Sequence, residues 1–518
     1  MELLVCIAGN FMLSYLRYAI YGIVKKTPFM PLEWHGGFIM EIILPGDVSY
    51  IINKLEEAGH EAYAVGGCVR DTLLGREPLD WDITTSAEPL FVKSCFRRTI
   101  DTGIKHGTVT VMIGDTGYEV TTYRIDGKYE DGRHPENVEF TSNLRLDLGR
   151  RDFTVNAMAY NDRDGLIDEF NGLSDLKDGI IRCVGNPGSR FDEDALRMLR
   201  AVRFSAQLGF SIEDKTKQAA MERAGNLEKI SAERIRTELS KLLVSKHPGK
   251  IREAYNTGMT KVFLPEFDKM METVQHNPHH IYTVGEHSVR SVEIMGCFLR
   301  DYGNSTGNGS NFIPEDVFKQ AEELKAGIDK KHQLMLCLVM LLHDIAKPEV
   351  MSVDENGTGH FYGHPQKGEE MAENILKRLS FDNNTVSIVK RLVKYHDYRI
   401  VPAKRTVRRA VSKIGSDIME MLFLVQYADI LAQNPVTFEE KLGNLKGVII
   451  KYKEIIEEET PLCIKDLDID GNDLINAGIK PGPEIGRVLG ELLDIVLEEP
   501  GQNKKDILLS HAKEIAGI

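Results

Sequence analysis

The sequence predicts an α+β protein: a small N-terminal mixed α/β head with an antiparallel-rich sheet, followed by an extended all-helical body. Three observations carry the prediction. Two β-branched runs, TVTVMI at 108–113 and YEVTTYR at 118–124, flank a turn-like GDTG and read as an antiparallel hairpin. From Asp192 to about residue 300 the pattern is helical with few breaks. A chain of 518 residues is also too long for one hydrophobic core, which implies three or four domains.

Residues 3–24, LLVCIAGNFMLSYLRYAIYGIV, are apolar enough to suggest an anchor. Asn10 and Arg17 interrupt them, however, and no basic n-region or small-residue cleavage site frames them. At Met40 the text becomes an ordinary soluble domain start. Met40 is therefore expected to be the natural initiator, with residues 1–39 an upstream extension and no stable membrane association. A helix-like stretch from Val48 to Ala58 leads into AYAVGG, an apolar run stopped by glycines. Residues 124–140, RIDGKYEDGRHPENVEF, are polar and rich in Gly and Asp, and predict a mobile loop. ISAERIRTEL at 230–239 reads as a helix start with Ser231 as N-cap, and GNSTGNGSN at 303–311 as a flexible insertion between helices.

Composition excludes several classes. Hydrophobic content of 42% with 27% charged residues is ordinary for a globular protein. A formal net charge of −14 argues against binding nucleic acid by bulk charge, though not against a local basic groove. Seven scattered cysteines without a CxxC pair suit a reducing cytoplasm and argue against a disulfide framework or a cysteine zinc site.

The stretch GGCVRDTLLGREPLDWDITTSA, residues 66–87, concentrates chemistry. In a strand, residues two apart share a face, so Asp80 and Asp82 can together hold one or two Mg²⁺. The Gly66–Gly67 turn lets backbone N–H groups approach a phosphate, and Arg70 adds charge. RRDFTVNAMAY at 150–160 sets two arginines beside an acid. FDEDALRMLRAVRF at 191–204 places Asp194, Arg197, Arg200 and Arg203 at steps of three, so that on a helix Asp194 and Arg197 face one ligand.

These residues resemble the class II nucleotidyltransferases, the CCA-adding enzymes and bacterial poly(A) polymerases. Five motifs carry the resemblance in order over roughly residues 41–270: GGCVRD with DWD, RRDFTVNA, LIDEFNGLSDLKDGIIR, EDALRMLRAVRF and ISAERIRTEL. It implies that Asp80 and Asp82 bind the catalytic metals and that Gly67 and Arg70 hold the triphosphate. Arg151, Arg200 and Arg203 would contact nucleotide, and Glu119 on the hairpin is a candidate third acid. A carboxylate only accepts hydrogen bonds and a guanidinium only donates them. The Asp194/Arg197 pair therefore suits cytosine and adenine, which present an amino donor beside a ring-nitrogen acceptor, and rejects guanine and uracil. The expected reaction is metal-assisted attack of an RNA 3′-OH on the α-phosphate of CTP or ATP with release of pyrophosphate, and the partner is tRNA. The 124–140 loop and TGIKHGTVTV favour CCA addition over poly(A) synthesis. A concave basic strip through Arg197–Arg203, Arg234, Arg236, Lys241 and Lys246 is expected to hold the tRNA.

Further on, QLMLCLVMLLHDIAKPEV at 333–350 ends an apolar helix in His343 and Asp344. With His287, His364, His396 and Asp429 these could fill two metal sites with N and O ligands. The pattern resembles the HD phosphohydrolase superfamily over about 275–435. It implies a second divalent metal centre (Mn²⁺, Ni²⁺ or Fe²⁺) able to act on RNA ends, and in one alternative this centre is the main activity. Residues 461–500, with a glycine-proline turn before a helix at Pro483 to Val496, resemble the C-terminal tRNA-binding segment of some CCA-adding enzymes. The expected division is 1–39 extension, 40–180 head, 181–272 neck, 273–435 HD domain and 436–518 tail.

Overall fold

The computed structural model describes residues 42–126, 138–276, 281–300, 313–434 and 438–518. The expectations for residues 1–39 and for GNSTGNGSN lie outside the described residues. Helix α1 (Gly46–Glu57) buries Val48, Ile51, Ile52 and Leu55, the spacing of one helical face, against the sheet that follows. That sheet is made of β1 (Ala62–Val65), β2 (Ile83–Thr85), β3 (Thr99–Gly103), β4 (Thr108–Ile113), β5 (Thr116–Thr122), β8 (Ala159–Asn161) and β9 (Gly165–Ile167). Its order is β3-β4-β5-β2-β1-β8-β9, and every pairing is antiparallel except β2 with β5. The β4–β5 hairpin is as expected, in register from Thr108↔Thr121 to Ile113↔Thr116, with Val109 and Val111 turned into the core. β1 is buried at all four positions, as befits a strand near the middle of the sheet.

The expected mobile loop at 124–140 is not a loop at its ends. β6 (Arg124–Asp126) and β7 (Val138–Phe140) pair antiparallel, Arg124 opposite Phe140, because β-branched and aromatic residues flank its polar middle. Residues 127–137 of that segment lie outside the described residues.

Short helices α2 (Gly67–Leu73), α3 (Pro89–Cys95), α4 (Leu144–Gly149) and α5 (Gly172–Asp178) complete the head. The neck comprises α6 (Pro187–Glu193), α7 (Leu196–Leu208), α8 (Asp214–Arg223), α9 (Ala232–Leu243), α10 (Ile251–Asn256), α11 (Thr260–Phe263) and α12 (Pro265–Glu272). Ser231 does occupy the N-cap position of α9, but its hydroxyl makes no cap hydrogen bond there.

Beyond the neck come α13 (Val284–Leu299), α14 (Glu315–Leu324), α15 (Lys330–Leu342), α16 (Lys347–Val350), α17 (His364–Arg378), α18 (Asn383–Tyr395), α19 (Lys404–Ile414) and α20 (Met419–Ala432). α15 begins at exposed Lys330 and Lys331 and is then buried without interruption from Met335 to Leu342, a stretch with no solvent face. The body is not wholly helical: β10 (Ile180–Ile181) pairs parallel with β11 (Ser211–Ile212), and β12 (Ser352–Val353) pairs antiparallel with β13 (Gly359–His360). The tail, α21 (Phe438–Glu457), α22 (Gly471–Asn476), α23 (Pro483–Glu498) and α24 (Lys505–Ala516), has its own core around Leu474, Val488, Leu492 and Leu508. Among the described residues no helix is long and apolar enough to cross a membrane.

Candidate functional site

Asp80 and Asp82 lie in the segment that leads into β2, not within it as the spacing argument assumed; the ladder begins at Ile83. Asp82 is nonetheless tied to the sheet, because its carbonyl accepts the Val65 N–H at 2.9 Å. Ile83 stands opposite Val120, so Glu119 on the neighbouring strand comes level with Asp82. The three carboxylates are electrostatically one group. The side chain of Asp82 opens to the cleft, yet the protein crowded around it withholds enough water to push its pKa up. Arg151 opposes that shift, while Glu119 and Asp80 add to it. Three carboxylates gathered together and all reachable from solvent form a donor set suited to a hard divalent cation.

Gly66 turns the chain from β1 into α2 with φ +83°, a conformation open to glycine. A Cβ there would stand 3.1 Å from Arg151 Nη1, so the missing side chain also lets that guanidinium approach the turn. Arg151 Nη2 lies 3.5 Å from the buried Asp147, and its Nε is buried without a hydrogen-bond partner. Arg70 differs from expectation. It is 8% exposed, donates to Asp71 at 2.9 and 3.0 Å and to Asn156 Oδ1 at 2.5 Å, and stacks over Phe204 at 5.2 Å. Its donors bind the head together around the turn that Gly67 opens.

Asp194 and Arg197 do not share a helix, contrary to the expectation from their spacing. Asp194 is not in α7 but at the break between α6 and α7, with φ −144° and ψ 103°. Its Oδ1 accepts the Leu196 N–H at 3.1 Å and its Oδ2 accepts Arg234 Nη2 at 2.7 Å. Arg197 pairs with Glu193 at 2.6 Å and donates to the backbone oxygens of Arg150 and Arg190. Arg200 is held by Asp152 at 2.6 Å, and Arg203 by the buried Glu238. Burial alone would push Asp152 up, but Arg200 and Asn156 outweigh it and hold the carboxyl at about 2. Arg197 and Arg203 are thus buried and paired, and Arg236 donates to the Ser380 carbonyl, so the expected basic strip is not a free surface. Lys241 and Lys246 remain exposed. Sequence reasoning noted the acid and the Asn of RRDFTVNAMAY, Asp152 and Asn156, without their partners, and missed Glu193 and Glu238. The Glu193–Arg197 step of four was the one local signal available.

The helical body brings together all six residues read from the sequence. His287 comes from α13 and His364 begins α17, His343 and Asp344 follow α15, His396 ends α18 and Asp429 sits on α20. They form two trios, His287 with His343 and Asp429, and Asp344 with His364 and His396, each within reach of one ion. His343 Nε2 is 3.3 Å from His287 Nε2, and His364 Nε2 is 3.3 Å from His396 Nε2. Asp344 lies between the trios, Oδ2 at 3.3 Å from His343 and Oδ1 at 3.6 Å from both His364 and His396. Every imidazole has its other nitrogen beside a backbone carbonyl: Nδ1 to Ala432, Met340, Phe361 and Val393, at 3.4, 2.9, 2.8 and 2.7 Å. That arrangement fixes the tautomer and turns every Nε2 lone pair inward, as in metal-ligating histidines. Burial pushes the His364 pKa down, whereas Asp344 and Asp429 outweigh burial at His343 and push it up to about 10, so with no ion bound a proton on His343 occupies the place of a cation between the two carboxylates. Asp344 and Asp429 stay ionised because the adjacent histidines, with Lys347 for Asp344, outweigh their burial.

A carboxylate cluster beside a glycine turn on a small mixed sheet, joined to an arginine-rich helical neck, defines a nucleotidyltransferase. The Poly A polymerase head domain matches residues 62–182, the RNA and SrmB-binding site of polymerase A 209–271, the HD domain 284–434 and the tRNA nucleotidyltransferase domain 2 364–512. The CCA-adding enzyme of Leuconostoc mesenteroides is 51% identical over 471 residues, covering 90% of this chain and 96% of its own. That of Lactobacillus helveticus is 46% identical over 470 residues, with 90% and 96% covered. The chain belongs to the CCA-adding enzyme family. Among solved structures, the Bacillus stearothermophilus CCA-adding enzyme in complex with CTP superposes with a TM-score of 0.61 at 26% identity, covering 90% of this chain and 95% of that one. Neither the poly(A) polymerase alternative nor the HD domain as main activity is needed beside this family.

Proposed function

We propose that the head cleft completes tRNA by adding C, C and A to its 3′ end from CTP and ATP, with release of pyrophosphate. The observation that carries the reading is the convergence of Asp80, Asp82 and Glu119 beside Arg151. Asp80 and Asp82 hold Mg²⁺, with Glu119 as third acid. When bound, the ion lowers the pKa of the attacking 3′-OH and neutralises the leaving pyrophosphate. The Gly67 turn and Arg151 receive the triphosphate. Arg70, Arg200 and Arg203 support this binding surface through the ion pairs they already make. Asp194 accepts the amino group of cytosine or adenine while Arg197 donates to the ring nitrogen. Arg234 and Glu193 aim those two groups. Labour divides among a head at 40–180, a neck at 181–272, an HD domain at 273–435 and a tail at 436–518, and action on tRNA places the protein in the cytoplasm. The test uses a tRNA transcript lacking CCA, with CTP, ATP, GTP or UTP given singly and together. Two additions with CTP alone and a third only with ATP are expected; long A-tracts on any RNA would overturn the reading.

A second reading rests on the inward-turned imidazoles of the body. His287, His343 and Asp429 hold one divalent ion and Asp344, His364 and His396 another, and the pair serves phosphate-ester hydrolysis at RNA ends. Elemental analysis of the purified protein is expected to find up to two transition-metal equivalents per chain; protein that takes up no Mn²⁺, Ni²⁺ or Fe²⁺ would sink it.

A further inference from the structure

Two lysines approach the imidazole centre of the helical body, and they are placed differently. Lys347 Nζ lies 2.8 Å from Asp344 Oδ2 and donates to Gln275 Oε1 at 3.1 Å, so a ligand carboxylate already matches its charge. Lys441 arrives from α21, the first helix of the tail. It donates to Gln433 Oε1, and Gln433 Nε2 donates to Asp429 Oδ2 at 3.1 Å. One buried amide thus stands between the ammonium and a ligand carboxylate. Among the described residues Lys441 makes no ion pair. It is half-buried, and that burial pushes its pKa down. Asp429 and Asp397 oppose the shift, while Arg399 and Lys347 add to it.

The tail is fitted to this side of the centre. α18 ends beside the ligand His396, and the chain that follows runs against α21. There the Ile400 carbonyl accepts Asn444 Nδ2 at 2.9 Å. Gly447 leaves room for Pro402, since a Cβ on it would stand 2.9 Å from Pro402 Cβ. Of the two ligand carboxylates Asp429 is the more open, its side chain 14% exposed against 2% for Asp344. Lys441 therefore stands beside the carboxylate that solvent can reach. A divalent ion on either trio adds positive charge near a lysine that lacks a counter-ion. A neutral residue at 441 would hold such ions better, and Gln433 could orient Asp429 without it. The ammonium gains its counter-charge when an anion lies across the two ions, as a phosphate ester does at a two-ion centre.

We propose that Lys441, contributed by the tail, is the group that binds the phosphate of the ester held at the two-ion centre. The proposal rests on the second reading above. An ammonium has three donors, so it can bind a phosphate oxygen while still holding Gln433, and Gln433 keeps Asp429 in place. The test uses the full chain carrying Asp80→Asn and Asp82→Asn, which keeps Mn²⁺ out of the carboxylate cleft. Elemental analysis gives its Mn²⁺ content, and calorimetry gives the affinity of the Mn²⁺-loaded chain for inorganic phosphate. The same titration without Mn²⁺ gives the phosphate bound elsewhere. Lys441→Gln in this background should keep the Mn²⁺ content and lose about tenfold in phosphate affinity. Lys441→Arg keeps the charge and should stay within about threefold. A Lys441→Gln affinity within about twofold of the parent would overturn the assignment. So would a parallel loss of Mn²⁺, which would reduce Lys441 to a brace for Gln433 and Asp429. A parent chain that takes up no Mn²⁺ fails the second reading itself. One that takes up Mn²⁺ but binds no phosphate leaves the metal centre standing and removes this proposal alone.

Discussion

In the head, three carboxylates meet at the central strands β2 and β5 of the sheet with their side chains open to solvent. In the helical body, four imidazoles and two carboxylates converge where His343 and Asp344 are 0% and 1% exposed. The first set offers only oxygen, and little besides Arg151 balances its charge. The second offers mostly nitrogen, with every ring oriented in advance by a backbone carbonyl. Hard, hydrated Mg²⁺ suits the open oxygen site and can arrive with each nucleotide, whereas a buried imidazole site suits a transition metal that stays. The contrast is between a site completed by its substrate and one completed before substrate arrives.

The largest expected effect breaks the head side of the comparison. Asp80→Asn removes one charge from a set that has no other ligand type, and CCA addition should fall roughly a thousandfold, the equivalent of several kcal/mol of lost charge stabilisation. A fall in turnover with little change in KM for tRNA, read in single-turnover assays, is the expected signature. A variant with near-normal turnover would mean that the cleft is not the catalytic site.

The next breaks the other side. Asp344 belongs to one trio and its Oδ2 lies 3.3 Å from His343 of the other, so Asp344→Asn should lower metal retention at both sites, about tenfold to a hundredfold in affinity. Elemental analysis after gel filtration measures it. Loss of one equivalent with the other retained would show that the trios are independent.

A smaller effect concerns fidelity. Asp194→Asn puts an amide where only an acceptor stood, so discrimination against GTP and UTP should drop by about tenfold to a hundredfold, while Arg234 loses its ion-pair partner. Misincorporation ratios check this. An unchanged ratio would assign base reading elsewhere, with Glu193 the nearest carboxylate to Arg197.

What could be read in the sequence follows the range over which the physics acts. Asp80, Asp82 and the Gly66–Gly67 turn lie within one short stretch, whereas Glu119 was a candidate only through the resemblance, and the parallel pairing of β2 with β5 is what sets it beside Asp82. The partners of the neck arginines were not legible. Asp152 meets Arg200 from 48 residues away, Glu238 meets Arg203 from 35, and Arg234 meets Asp194 from 40. No local periodicity encodes such pairs, so arginines in helical register looked like a free anion site when most were already neutralised. Asp194 was misplaced inside a helix because its carboxylate instead accepts the Leu196 N–H at the break and is held there by Arg234, 40 residues away. The six HD residues span 142 positions between His287 and Asp429 and were found through resemblance; that Asp344 bridges the two trios emerges only when the helices are packed.

The smallest effect sharpens the comparison most, because it reads the repulsion in the head directly. Asp82 has a raised pKa in the folded chain, chiefly from desolvation, with Glu119 and Asp80 adding to it. A carboxyl raised on folding binds its proton more tightly in the native state, so its contribution to stability is present at low pH and is lost as pH rises through the unfolded and then the folded pKa. At neutral pH the ionised Asp82 therefore weakens the fold. Asp82→Asn should melt higher than wild type at pH 7, by roughly 1–3 °C, and should show no such gain near pH 3, where both forms are neutral. Mg²⁺ should raise the wild-type midpoint at pH 7 and leave Asp82→Asn nearly unmoved. Asp152 responds with the opposite sign, since its carboxyl is held at about 2 and its stabilising pair with Arg200 is lost as pH falls below the ordinary carboxylate range. A wild-type midpoint indifferent to Mg²⁺ at pH 7 would mean that the three acids do not repel one another enough to need an ion, and the distinction between a site completed by its substrate and one completed beforehand would fall with it.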